Sequence, residues 1–368
     1  MLEDGLDVLR EPVLHDCTAT CRNCAVINEV IPTLAENMLS NDLAGKLDSQ
    51  SLERLTRLDL SQALLDSDDP CKAIDLLEMV LRVSAVDPSA GWCVATMGGH
   101  SLLLRSAPPD ALRQLVTPLG MLGWVATAGG GTGEARQTDD GTYRISGSWR
   151  FSSFWRESTS IVVDVPTFTP DTVDARDTRF LIPSCRFDAA EAAAGIIGLR
   201  ATNTLKVALN CAGIPETHML GPERPLGAVT LRRLNTMTLT ASLLGATLGM
   251  LLHTKHDLLK QHGRLSRSTS AASAAWLDSE EILRMSIIEF RTTIESIVKC
   301  ETIDDDTVLE CQWARIANKS ADVANSLFAH AGSRALSQMS LIQVYWRDIN
   351  AARNHAAHSL ENCFGRRI

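Results

Sequence analysis

The chain has 368 residues, a formal net charge of -9 at pH 7 and 45% apolar residues. This length allows more than one hydrophobic core, and the acidic balance argues against a general nucleic-acid binder, which carries a basic surface. The longest apolar run, residues 243–252, is shorter than the roughly 20 residues that span a bilayer, so no membrane segment is expected. The N-terminus lacks the basic and apolar regions of a signal peptide, and a cytoplasmic location is the expectation.

The first third of the chain has a helical pattern. Apolar side chains repeat at three- and four-residue spacing, which is typical of an amphipathic helix: Ala73, Leu76, Leu77, Val80 and Val83. The sequence Asp87-Pro88 should end this helix, because proline disfavours helical backbone in the residue before it. Ser89 is then expected to cap a second helix, on which His100 lies after two glycines.

Cys17, Cys21 and Cys24 form a C-x3-C-x2-C pattern, which is the iron–sulfur ligand spacing of radical S-adenosylmethionine enzymes. The same spacing places three small apolar side chains near one face of a helix, and the surrounding residues are helical in pattern. We favour the second interpretation and predict no metal site. The radical enzyme remains the alternative.

From residue 119 to residue 222 the pattern changes to short strands. Residues 129–133 and 139–141 are glycine-rich and indicate turns, while Tyr143, Ile145, Trp149 and Phe151 alternate as in a half-buried strand. A helical pattern returns over residues 239–259, 274–303, 307–328 and 342–363, which predicts an antiparallel bundle. The predicted domains are therefore 1–118 (helical), 119–222 (β) and 223–368 (helical bundle).

Three separated motifs stand in a fixed order along the chain. They are Asp-Pro-Ser-Ala-Gly-Trp at residues 87–92, Gly-Ser-Trp-Arg-Phe-Ser-Ser at residues 147–153, and Trp-Arg-Asp at residues 346–348, followed by His355. This order resembles the acyl-CoA dehydrogenase superfamily, in its branch of two-component flavin-dependent monooxygenases. The resemblance implies a mainly α fold with an N-terminal helical domain, a middle β-barrel and a C-terminal four-helix bundle. It also implies a homotetramer or homodimer.

The resemblance further implies the chemistry. A separate NAD(P)H:flavin reductase would supply reduced FMN or FAD, not covalently bound, and oxygen would add at C4a of the flavin. The products would be hydroxylated or N-oxygenated small organic molecules, in specialised-metabolite or antibiotic biosynthesis. No dinucleotide-binding fingerprint is present in the sequence, which agrees with an external reductase.

Carried over position by position, the resemblance assigns the site residues. Ser153 is the hydroxyl nearest the flavin N5, and His355 and His100 face flavin and substrate. The residues assigned to cofactor contact are Trp149, Ser153, Thr127, Ala128 and Arg347. Imidazole suits the catalytic part because it exchanges protons near neutral pH. His358, one turn beyond His355, is the alternative participant.

Two departures from the family pattern keep other functions open. Phe154 and Ala201 stand where the family has glycine, which leaves open a non-redox protein on the same scaffold. An acyl-CoA dehydrogenase, the third possibility, needs a carboxylate base, and the family often places it on the last helix. Residues 351–357 contain no carboxylate, and the first one after Asp348 is Glu361. The monooxygenase branch therefore fits better.

Overall fold

The computed structural model of the chain describes residue 13 and residues 22–58, 60–65, 67–116, 123–170, 175–192, 196–261, 267–299 and 305–358. Cys17 and Cys21 lie outside these residues, so the cysteine prediction remains untested. Among the described residues, no group of three or more His, Cys, Asp or Glu side chains could hold a metal ion.

The N-terminal block is helical. Its helices are α1 (Arg22–Ala44), α2 (Ser49–Thr56), α3 (Leu60–Leu65), α4 (Cys71–Val86), α5 (Pro88–Ser101) and α6 (Pro109–Gln114). The break between α4 and α5 is as predicted, but its cap is not. Asp87, rather than Ser89, is the N-cap, because its Oδ1 accepts from the Ala90 amide at 3.0 Å. Ser89 lies inside α5 and is free to reach another element.

Seven strands form one curled sheet between the helical blocks: β1 (Val125–Thr127), β2 (Gly129–Gln137), β3 (Tyr143–Ser152), β4 (Ser160–Phe168), β5 (Arg176–Pro183), β6 (Asp188–Ala192) and β7 (Leu205–Ile214). The order is β1-β4-β2-β3-β7-β6, with β5 on the other edge of β4. The predicted barrel corresponds to this sheet, in which β5 and β6 are the edges among the described strands.

The glycines at residues 129–133 form part of strand β2, so the prediction of a turn there is wrong. Their role is to allow close packing. A Cβ on Gly131 would lie 2.2 Å from the Ser148 carbonyl oxygen, and one on Gly133 would lie 2.7 Å from the Trp149 ring. Strand β2 therefore uses glycine because a neighbouring backbone and a large indole approach it, which is a known use of glycine in strands.

The C-terminal block contains α7 (Leu231–Gln261), α8 (Arg267–Lys299), α9 (Asp306–His330) and α10 (Leu341–Arg353). By length and composition α7 is apolar enough to cross a membrane, but 83% of its most apolar window is buried inside the protein. That burial is typical of a core helix. Helix α7 packs against α4 and α5, so it joins the C-terminal block to the N-terminal one.

The last helix ends earlier than predicted. Helix α10 stops at Arg353, and Asn354 and His355 lead into a short 3-10 turn at Ala356–His358. The predicted helix over residues 342–363 is therefore wrong at residues 354–358, and residues 359–363 lie outside the described part of the chain. The ring Nδ1 of His355 accepts from the Ala357 amide at 3.2 Å and thereby competes with helical pairing. His355 consequently lies in a turn rather than on a helix.

Candidate functional site

The end of helix α5 meets the beginning of the sheet at His100 and Thr127. The Nε2 of His100 lies 3.0 Å from the Thr127 Oγ1, and the Thr127 carbonyl accepts from the Ser152 hydroxyl at 3.2 Å. Thr127 thus links helix α5 to the end of strand β3, where Ser153 follows. Two residues that the sequence assigns to the site, His100 and Thr127, are brought into direct contact.

His100 is held in its neutral form. Its pKa is lowered to about 4, chiefly because burial desolvates the ring; the nearby His355 also lowers the pKa, and the Val125 backbone opposes the fall. The Nδ1 of His100 is buried and has no hydrogen-bond partner among the described residues. A neutral imidazole with one unpaired nitrogen can accept or donate a hydrogen bond to a bound molecule, according to its tautomer.

His355 lies against helix α5 on the other side of the same region. Its ring meets Trp92 edge-on at a centroid distance of 5.5 Å, although the residue is exposed. Desolvation by the surrounding protein lowers its pKa below the usual value. Because Nδ1 accepts from the Ala357 amide, the neutral ring carries its hydrogen on Nε2. His355 can therefore donate from Nε2 at neutral pH.

His358, the alternative participant, is buried instead of exposed. Its Nδ1 lies 3.2 Å from the Ala352 carbonyl, and its Nε2 lies 3.5 Å from the Thr240 Oγ1 on α7. Burial lowers the pKa of His358 to about 4. These contacts fix the turn that carries His355. His358 therefore stabilises this turn and is not exposed to a bound molecule.

Ser153 ends a chain of three hydroxyl groups. Its Oγ lies 2.7 Å from the Thr204 Oγ1, which lies 2.8 Å from the Thr202 Oγ1. The Thr202 hydroxyl in turn donates to the Leu199 carbonyl at 2.7 Å. The Phe154 amide also donates to the Thr202 carbonyl at 2.9 Å, so the segments 153–154 and 199–204 are held together.

Two residues assigned to cofactor contact are already engaged within the protein. Trp149 is 2% exposed, and its indole packs against Gly133, Gly147 and Phe187. The Ala128 amide donates to the Val162 carbonyl at 3.0 Å. These contacts give Trp149 a packing role and leave Ala128 no free amide hydrogen. Their contact with a flavin stays a prediction.

Arg347, also assigned to the cofactor, forms a buried ion pair. Its Nη2 lies 2.8 Å from Asp42 Oδ2 on α1, and their side chains are 9% and 3% exposed. The Nε of Arg347 is buried without a partner among the described residues. The guanidinium therefore joins α10 to α1, and its contact with a cofactor also stays a prediction.

The next residue, Asp348, connects three elements. Its Oδ1 accepts from the Leu199 amide at 2.6 Å, and its Oδ2 accepts from the Ser89 hydroxyl at 3.0 Å. Burial raises the pKa of Asp348 to about 7, and it does the same for Asp87. Asp348 fixes the Leu199 backbone, whose carbonyl accepts from the first of the three hydroxyls that end at Ser153. It therefore stabilises the site indirectly.

The two departures from the family pattern have local explanations. Phe154 has a φ of 59°, in the left-handed region that favours glycine, so the family's glycine is the residue that this backbone suits. Its ring is buried against Trp124 at 5.1 Å. Ala201 is buried in the 3-10 turn Arg200–Thr202 and does not have a positive φ. Its backbone therefore does not need glycine.

Sequence reasoning missed Thr202, Thr204 and Glu157. Thr202 ends the segment Gly-Leu-Arg-Ala-Thr at residues 198–202, which resembles a turn of the family and has only a structural role there, while Thr204 belongs to no motif. Only the fold brings the two threonines to Ser153. Glu157 follows the β3 turn, and its Oε2 is buried without a partner among the described residues. Burial raises the pKa of Glu157, and a side-chain hydrogen bond with Asn203 opposes that rise. No local pattern distinguishes this glutamate from a surface residue.

The arrangement suits a flavin ring, which needs separate hydrogen-bonding groups and an apolar wall. The unpaired His100 Nδ1 and the Ser153 and Thr127 hydroxyls supply the polar contacts. Trp92 supplies apolar surface beside His355. The residues that would hold the ring are thus Ser153, Thr127 and His100.

Comparisons with known proteins agree with this architecture. Residues 261–360 match the family described as acyl-CoA dehydrogenase, C-terminal domain. The pigment production hydroxylase of Rhodococcus erythropolis is 22% identical over 314 residues, and the match covers 77% of this chain and 78% of that protein.

Three solved structures superpose over nearly the whole chain. The 3-HSA hydroxylase of Rhodococcus sp. RHA1 has a TM-score of 0.79 and 17% identity, covering 95% of this chain and 96% of that one. The FMN-bound dibenzothiophene monooxygenase of Paenibacillus sp. A11-2 has a TM-score of 0.77 and 16% identity, covering 94% and 96%. XiaF from Streptomyces sp., in complex with FADH2 and glycerol, has a TM-score of 0.72 and 16% identity, covering 99% and 95%.

The chain has the acyl-CoA dehydrogenase fold. The expected fold class, with a β domain between two helical blocks, is confirmed. The boundaries at 118/119 and 222/223 fall between described elements and stay predictions. Within the acyl-CoA dehydrogenase fold, the contact of His100 with Thr127 and the hydroxyl chain at Ser153 identify the candidate site on this chain's own residues.

Proposed function

We propose that this protein is a two-component flavin-dependent monooxygenase. It takes reduced FMN or FAD, not covalently bound, from a separate NAD(P)H:flavin reductase and transfers one atom of O2 to a small organic substrate. The names of the solved structures support the proposal, because they include a hydroxylase, a monooxygenase and complexes with FMN and FADH2. Reduced flavin, when bound, supplies the electrons that activate oxygen.

The observation that carries the proposal is a pair of neutral histidines near helix α5, His100 at its end and His355 against its Trp92. Burial holds the pKa of His100 at about 4, and desolvation by the neighbouring protein lowers the pKa of the solvent-exposed His355, so both are uncharged at neutral pH. His355 presents an N–H donor, and His100 has an unpaired nitrogen. Such groups can donate to an oxygen atom or take a substrate proton without burying a charge.

The remaining site residues bind and orient. Ser153 and Thr127 offer hydroxyls to the ring, and His358 and Asp348 hold the two turns that present His355 and Ser153. Trp92 and Phe154 are buried and limit the access of water. Water exclusion matters because an activated oxygen species otherwise decays without transferring its oxygen.

An acyl-CoA dehydrogenase is supported less well. The one carboxylate on α10, Asp348, is buried and both of its oxygens accept hydrogen bonds from within the protein. Neither oxygen of Asp348 is therefore available to remove a substrate proton. Glu157 has an unpaired oxygen and keeps this second candidate open.

The test is isotope incorporation from ¹⁸O2, with reduced flavin supplied by an added flavin reductase. The substrates are a panel of phenols, fused-ring heteroaromatics and amines, since the proposal does not fix the oxidised atom. We expect one ¹⁸O atom in the product of at least one class. Oxygen consumption that yields only hydrogen peroxide with every class would contradict the proposal.

The competing activity needs a separate experiment. The flavin-loaded protein is mixed anaerobically with acyl-CoA esters of several chain lengths. A dehydrogenase would bleach the oxidised flavin as the ester is desaturated. We expect no bleaching, and rapid bleaching would replace the monooxygenase proposal with the dehydrogenase.

We extend the proposal to a homotetramer or homodimer. Helix α8 has a broad face of large apolar side chains, each between 44% and 58% exposed: Leu277, Ile282, Met285 and Ile288. Exposed apolar patches of this kind commonly mark interfaces between proteins.

A specialised-metabolite substrate is supported by the pigment production hydroxylase, and a cytoplasmic location by the NAD(P)H that the reductase needs.

A further inference from the structure

The hydroxyl chain that ends at Ser153 has a fixed direction. It begins at the Leu199 carbonyl, an acceptor that has no hydrogen to give, so the Thr202 hydroxyl must be the donor at 2.7 Å. The single hydrogen of Thr202 is then used. At the next contact of 2.8 Å, Thr204 must therefore donate to Thr202.

The same reasoning applies at the third contact. Since the single hydrogen of Thr204 is directed to Thr202, the contact of 2.7 Å between Thr204 and Ser153 forms only if Ser153 donates. The Ser153 hydroxyl hydrogen is therefore turned away from the bound molecule. What Ser153 offers to that molecule is an oxygen lone pair.

The supports of the chain keep this direction. Leu199 has a φ of 55°, and its amide is held by Asp348 at 2.6 Å, so the carbonyl that starts the chain is fixed in place. The Phe154 amide ties the segment after Ser153 to the Thr202 carbonyl at 2.9 Å. Reversing the chain would leave two oxygens, those of Thr202 and Leu199, facing each other without a hydrogen between them, which is costly in a buried site.

We propose that the Thr204 hydroxyl makes this site selective for reduced over oxidised flavin, by forcing Ser153 to act as a hydrogen-bond acceptor. Reduced flavin carries a hydrogen on N5, whereas N5 of oxidised flavin has only a lone pair. The lone pair of the Ser153 oxygen accepts a hydrogen bond from the N5 hydrogen of reduced flavin. The same lone pair faces the N5 lone pair of oxidised flavin, so no hydrogen bond forms. This inference rests on the proposed function, since the position of Ser153 beside N5 comes from the family resemblance.

Selectivity for the reduced form has a consequence for turnover. A flavin that arrives reduced and leaves oxidised must bind tightly at the start of the cycle and weakly at its end. Thr204 would therefore favour both capture from the reductase and release afterwards. Thr204 touches neither reacting group directly, so it is a specificity-determining residue that acts through Ser153.

The test compares dissociation constants of FMN and FAD in both redox states, measured by anaerobic titration without substrate. Thr204→Val keeps the shape of the side chain but removes its hydroxyl, which frees the Ser153 hydrogen to face oxidised N5. We expect the dissociation constant of oxidised flavin, divided by that of reduced flavin, to fall about tenfold. This factor corresponds to about 1.4 kcal/mol, which is the size expected for the exchange of one hydrogen bond. Thr204→Ser restores the hydroxyl and should retain the wild-type ratio.

Two further arms make the result specific. Thr178→Val removes a buried hydroxyl that donates to the Arg176 carbonyl on strand β5, and should leave the ratio unchanged. With 5-deaza-FMN, in which carbon replaces N5, the preference of the wild type for the reduced form should shrink. If Thr204→Val does not fold by circular dichroism, Thr202→Val breaks the chain one hydroxyl earlier and should lower the same ratio.

Different failures have different meanings. A wild type that binds flavin with no preference for the reduced form, or a folded Thr204→Val with the wild-type ratio, would overturn this inference and leave the proposed function intact. Equal shifts in Thr204→Val and Thr178→Val would also overturn it. A wild type that binds neither form of FMN or FAD would overturn the proposed function and this inference with it.

Discussion

His355 and His358 are three residues apart and have opposite positions in the structure. His355 is exposed beside Trp92, whereas His358 is buried between Ala352 and Thr240. A sequence alone cannot distinguish them, because both follow the same motif at helical spacing. Helix α10 ends at Arg353, so His355 and His358 lie in a turn rather than on one helix. The turn is what gives the two side chains their different exposure.

At this scale we predict that His355→Ala reduces product formation by about 10²–10⁴-fold, the usual cost of losing one positioned proton-transfer group. The rates are measured with reduced flavin in excess, so that flavin supply does not limit them. The melting temperature should change little, because the side chain is exposed. Asn354→Ala, at the exposed preceding position, is the matched control and should remain active. Similar activities of the two variants would show that His355 is not the proton-transfer group.

The buried carboxylates Asp87 and Asp348 belong to the scale of elements, because they join α5, α10 and the segment before β7. Burial raises the pKa of Asp87 from 3.8 to about 7. For an acid whose folded pKa is raised, the unfolded chain ionises first as pH rises. Its contribution to stability is therefore complete below about pH 4 and is lost progressively up to about pH 7.

Asp87→Asn should remove this dependence while keeping a side-chain oxygen to cap α5. Relative to the variant, the wild type should lose about 2 kcal/mol of unfolding free energy between pH 5 and pH 8. The measurement is denaturant unfolding of both proteins at the two pH values. The buried histidines titrate in both proteins and cancel in the comparison, whereas any change in the pKa of Asp348, which the nearby Asp87 also raises, is part of the measured difference. Parallel pH profiles would mean that Asp87 is ionised in the folded protein at pH 5.

Periodicity predicted the order of helical and strand segments, because α4 and β3 carry apolar side chains at a regular spacing that a single sequence displays, although α4 is buried on all sides from Leu76 to Val86. It failed at residues 129–133, where glycine permits close packing in β2 rather than a turn. It also failed for the hydroxyl chain, since Thr202 and Thr204 lie about fifty residues from Ser153 and meet it only through the fold. Contacts of that kind depend on tertiary packing, which no local pattern encodes.

On the scale of the whole molecule, the exposed face of α8 tests the proposed assembly. The double variant Met285→Lys with Ile288→Lys should shift the protein to a smaller assembly, because two charges would be buried at the interface. Light scattering after size exclusion gives the mass of each species. Val116→Lys, at an apolar residue 50% exposed elsewhere, is the control and should keep the wild-type mass. A monomeric wild type, or an unchanged mass in the double variant, would exclude α8 as the interface.

In the proposed function, this protein takes reduced flavin from a separate reductase and uses it to activate oxygen. The most direct measurement is stopped-flow absorbance when the anaerobic complex with reduced FMN or FAD is mixed with O2. We expect a transient species whose spectrum differs from those of reduced and oxidised flavin, and we expect His355→Ala to shorten its lifetime. Direct conversion of reduced to oxidised flavin, at the rate of free flavin and with no such transient, would contradict it.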